Sequence, residues 1–119
     1  MRATELLQLW EDRRASLRKL AGGIPDGREG YAVAPGVMSL AGHVLHVLSA
    51  EKTAVDALTV TPGKWVWQTG IDAEHYPTRE EILKVLEQQT AVTRKYLLSV
   101  ADADLQKQIK LPWGSEVTV

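Results

Sequence analysis

Apolar residues recur every three or four positions along three stretches of this chain, with polar residues between them. The first stretch spans 3–21, where Leu6, Trp10, Leu17, Leu20 and Ala21 form one helical stripe. Glu11, Asp12, Arg14, Arg18 and Lys19 fill much of the remaining circumference, and Gly22-Gly23 supplies a stop. The second stretch spans 40–58. Ser39 is placed to cap it, and the Pro35-Gly36 pair keeps the helix from beginning earlier. Gly42 is its only weak helix former. The third opens on Thr78-Arg79-Glu80-Glu81, a capping box with Pro77 and Ile82 placed for a hydrophobic staple. Ile82, Leu86, Gln89, Thr93, Tyr96, Leu97 and Val100 mark its inner side. Gln89 and Thr93 bring polar atoms into that stripe, which points to hydrogen-bonded positions or to the lining of a wet pocket.

Two long connections separate the helices. The first, 24–37, carries Pro25, Gly27, Gly30, Pro35 and Gly36 and is long enough to cross the end of a bundle. The second, 61–77, carries Pro62, Gly63, Trp65, Trp67 and Gly70. Its two tryptophans read as a plug over the bundle's end in preference to a ligand platform. His75 reads as solvated. Beyond helix three, Asp102 and Asp104 break the helix, and 106–111 is expected to be extended. Pro112-Trp113-Gly114 makes a turn, and 115–119 resembles the entry to another helix. The expected fold is an all-α helical bundle forming a single domain, 1–119.

Composition narrows the function classes. A chain of 119 residues can bury one modest core. Its 14 basic and 15 acidic side chains are well mixed and give a net charge of −1, so the electrostatic footprint of a nucleic-acid binder is absent. The absence of cysteine excludes disulfides, thiolate metal ligands and a cysteine nucleophile, and fits a reducing compartment. No apolar run approaches about 18 residues, and there is no signal-peptide core, so a soluble, cytoplasmic protein without a membrane partner is expected.

The candidate chemistry lies on helix two. His43 and His46 stand three residues apart, about 60° around the helix, and share a broad face. His46 falls near Ala50 and His43 near Val47, so both rings are expected to face the interior. There an imidazole serves either as a hydrogen-bonded core group or as a ligand, and His43 reads first as structural. Glu51 lies about 140° around the helix from His46 and is expected to pair with Arg13 or Arg14 of helix one. No Ser/His/Asp set, phosphate-binding glycine loop or close carboxylate pair is visible, so no catalytic residue is assigned.

The order of these elements carries a resemblance. A Trp-containing first helix and a Pro-Gly linker precede Ser-Leu-x-x-x-x-x-His-x-x-x-x-Glu. Then come a Pro-Thr-x-Glu-Glu-Ile helix start and Leu-Pro-Trp-Gly. The chain resembles the DinB (damage-inducible) family, the DinB/YfiT-like metalloenzymes, over 6–119. The resemblance implies an up-down-down-up four-helix bundle. It also implies a divalent metal, zinc or nickel, held by one histidine on helix two and a His-x-x-x-His pair on helix four. The implied activity is that of a hydrolase or thiol-dependent transferase acting on a small-molecule substrate. His46 matches the helix-two ligand position, whereas His43 matches none and is the lesser metal candidate. The sequence ends where helix four would begin, so a metal-deficient, three-helix form is expected. Its open apolar groove would favour a homodimer. The alternative is a non-catalytic helical interaction or dimerisation module.

Overall fold

The computed structural model describes residues 2–25, 27, 29, 32, 36, 38–60, 63–106, 108–110 and 116–118. Three helices dominate: α1 (Ala3–Gly22), α2 (Leu40–Thr59) and α3 (Arg79–Ser99). A 3-10 helix, Asp102–Gln106, and a two-stranded antiparallel hairpin of β1 (Gln108–Lys110) and β2 (Glu116–Thr118) follow.

Local signals set the helix starts. Ser39 Oγ accepts from the Gly42 amide at 2.9 Å, and Thr78 Oγ1 accepts from the Glu81 amide at 3.2 Å. Each satisfies one of the amides that a first turn leaves without a partner. The start of α1 is capped from a distance. Arg2 supplies no side-chain cap, and the Ala3 amide instead donates to Asp102 Oδ1 at 2.7 Å.

Packing then builds one core. Ala21 from the end of α1 and Ile24 just beyond it, Ala41, Val44, Leu45 and Leu48 from α2, and Ile82, Val85 and Leu86 from α3 are buried together. Each fully buried Leu or Ile contributes about 1.5–3 kcal/mol relative to exposure. α3 packs against both α1 and α2. Two ion pairs tie its rim to α1. Arg94 makes a two-point bond to Glu11 at 2.7 and 3.0 Å, and Arg18 pairs with Glu87 at 2.7 Å.

Several expectations are corrected. His43 and His46 are both exposed. The buried stripe of α2 centres on Ala41, Val44, Leu45 and Leu48, and the two imidazoles lie roughly 150° to either side of its middle. Val47 and Ala50, used to align them with the interior, are themselves exposed. Arg14, assigned to the solvated face of α1, is 2% exposed, whereas Leu20 of the expected stripe is 51% exposed. Val100 is not part of α3 but the extended residue that ends it. Glu116–Thr118 forms a strand instead of opening a helix, its backbone paired with β1 in the register Ile109↔Val117. The expected turn at 112–114 lies outside the described residues.

Candidate functional site

Two polar constellations flank α2. The first lies between the three helices, beside a surface groove that Trp10, Arg14 and Glu51 help to line, and centres on Glu51. Trp10 Nε1 donates to Glu51 Oε1 at 2.9 Å. Arg14 Nη2 and Thr93 Oγ1 both donate to Oε2, the latter at 2.9 Å. Gln89 Nε2 donates to Thr93 Oγ1 at 3.1 Å and completes the chain of bonds. The Arg14 guanidinium also lies 5.2 Å from the centroid of the Trp10 ring, with Arg94 at 5.5 Å from the same ring. Arg14 Nε and Nη1 are buried without an oxygen partner, and the indole face is the compensation at hand. The expected pairing of Glu51 with Arg14 is present; Arg13 is exposed.

Gln89 and Thr93 occupy hydrogen-bonded positions, one of the two readings that the sequence allows. Both are buried, bonded to each other and, through Thr93, to Glu51. This constellation holds three helices in register around a carboxylate with both oxygens occupied, which suits structure more than chemistry.

The second constellation is open to solvent. A cleft of about 290 Å³ lies between the first half of α2 and the connection that follows it. Met38, Leu45, His46 and Ser49 form one wall, and residues 67–73 form the other. The His46 and Trp67 rings stand 5.2 Å apart between centroids, tilted by 34°. Trp67 is 49% exposed, so it is a wall of the cleft and not the buried plug expected of it.

Two hydrogen bonds fasten the loop to the helix. The Gln68 amide donates to Thr53 Oγ1 at 3.0 Å, and Ser49 Oγ donates to the Ile71 carbonyl at 3.0 Å. Gly70, at φ +94°, makes the bend between these two anchors in a conformation that other residues rarely adopt. Asp72 closes the far end. Its Oδ1 accepts from the His75 amide at 3.0 Å and meets His75 Nδ1 at 2.7 Å. The hydrogen bond and charge of Asp72 raise the His75 pKa above its ordinary 6.5, and the same contacts lower that of Asp72 below 3.8.

Residues 9–119 match the model of the DinB superfamily. The chain belongs to the DinB superfamily. No curated protein and no solved structure gives a significant match. Members of the DinB superfamily generally bind divalent metals, and the sequence reading takes His46 as its candidate ligand. The described residues do not complete a metal site around it. No three His, Cys, Asp or Glu side chains among them come together as donors, and His43 is exposed and is not among the residues lining the cleft. Sequence reasoning missed the His46–Trp67 contact and the Asp72–His75 pair. Asp72 and His75 follow an i, i+3 pattern that can be read from the chain, but Trp67 reaches His46 across a loop with no periodicity.

Proposed function

We propose that this DinB-superfamily domain binds a small molecule in the cleft beside His46, as the substrate-recognising part of a hydrolase or transferase lineage. The observation that carries this reading is His46 itself. The imidazole that resemblance assigns to metal chemistry stands on the wall of a preformed cleft, next to a half-exposed tryptophan. Clefts of this kind, apolar with a few placed polar groups, are the usual form of small-molecule sites.

Divalent-metal chemistry at His46 needs donors beyond the described residues. One imidazole with water makes a weak site, because affinity accumulates with ligand number and geometry. The chain is therefore expected to hold zinc or nickel substoichiometrically after dialysis, as elemental analysis would report. Near-stoichiometric metal that His46→Ala abolishes would overturn the reading and restore a metalloenzyme. Near-stoichiometric metal that survives His46→Ala would move the centre elsewhere in the chain.

A further inference from the structure

The cleft at His46 has an unbalanced lining. Among the described residues Asp72 is its one carboxylate, and neither lysine nor arginine lines it. Asp72 is half-exposed, and its contacts with His75 all fall on Oδ1. A carboxylate accepts at both oxygens, so this group has capacity for a further donor. Trp67, 49% exposed, and Met38, 46% exposed, add an indole face and a thioether to the same cleft. An indole face attracts cations through its quadrupole, and a thioether adapts to apolar bodies of varied shape. The anchors at Thr53 and Ser49 hold the loop in place before any ligand arrives, which lowers the ordering cost of binding.

We infer that the cleft selects small organic cations, an ammonium group on an apolar or aromatic body, with the Trp67 face and the Asp72 carboxylate as its recognition elements. The inference rests on the reading of this cleft as the small-molecule site and adds the ligand's charge. A carboxylate or phosphate ligand meets Asp72, whose charge is offset only from the Oδ1 side by His75, and no lysine or arginine among the described lining residues, so anions are disfavoured. A neutral ligand of the same shape keeps the apolar contacts and loses the charged one.

Three probes of matched shape test this on the full chain at neutral pH: phenethylamine, 2-phenylethanol and phenylacetate. The readouts are the chemical shifts of the Trp67 indole N–H and the His46 ring. Phenethylamine is expected to bind about fivefold or more tightly than 2-phenylethanol, the scale of a cation–π contact plus a charge-assisted hydrogen bond, with phenylacetate weakest. Asp72→Asn keeps an oxygen for the His75 amide and should erase the preference. Trp67→Leu should weaken the amine most. Equal binding of all three at Trp67, or a preference untouched by Asp72→Asn, overturns the cation inference and leaves the cleft reading standing. If none of the three moves the Trp67 or His46 signals, both readings fall.

Discussion

At the scale of single residues, charge placement separates what is structural here from what is available for chemistry. Glu51 accepts three hydrogen bonds and is, among the described residues, the only carboxylate bonded to the buried Arg14. Removing one partner of a buried pair strands the other, so Glu51→Ala should cost about 3–5 kcal/mol in urea unfolding. Replacing both at once, Arg14→Met with Glu51→Leu, should recover most of that loss, since similar apolar volume offsets the missing pair. A double variant as unstable as the single one would show that the network does more than neutralise Arg14. Asp72 and His75 behave differently because solvent reaches both. The raised His75 pKa means that its contribution is fully present below its unfolded value near 6.5 and is lost as pH rises through the folded value. The lowered Asp72 pKa means that its contribution is present above 3.8 and is lost as pH falls through its folded value. The pair therefore acts in the window between the two folded values. In an NMR titration, Asp72→Asn should return the His75 pKa toward its ordinary range; an unchanged His75 midpoint would mean that the contact is not formed in solution.

At the scale of elements, what could be read from the sequence was local. Ser39 and Thr78 announce α2 and α3 because a cap bonds within its own first turn, three residues away. Thr78→Ala should cost about 1 kcal/mol of stability, read by thermal or urea melts, and leave ligand affinity at the cleft unchanged. The cap of α1 could not be read in this way, because its acceptor, Asp102, lies 99 residues along the chain. Asp102→Ala should also cost about 1 kcal/mol, through a lost cap and a lost anion at a helix N-terminus. A neutral result would place the start of α1 under other control. The facing of the histidines was illegible for a related reason. Helical periodicity fixes relative angles, but a long run of Ala, Val and Leu such as α2 offers several candidate stripes. Only the packing of α1 and α3 on Ala41, Val44, Leu45 and Leu48 decides among them. Gln89 and Thr93 were legible as polar positions on an inner face. Their partner Glu51 became definite only once α2 and α3 were side by side.

At the scale of the whole molecule, three helices leave one side of α1 and α2 without cover among the described residues. Leu20 is 51% exposed, Val47 46% and Leu40 38%, and a groove of about 190 Å³ runs between the two helices beneath Leu20 and Val47. The walls of that groove include Leu17, Trp10 and the aliphatic stems of Arg13 and Arg14, so it is apolar along most of its depth. Such a face favours a second copy of the chain, since a twofold axis would set the same leucines and valines against one another. A stable dimer would need to bury about 800 Å² on each partner. The chain is therefore expected to sediment as a dimer at micromolar concentration and to dissociate on dilution. Val47→Glu sits on this face and lies outside the cleft at His46, so it should give a monomer that still binds the cleft's ligand. A cooperatively melting monomer for the unaltered chain would exclude the dimer. A dimer indifferent to Val47→Glu would place the contact on another surface.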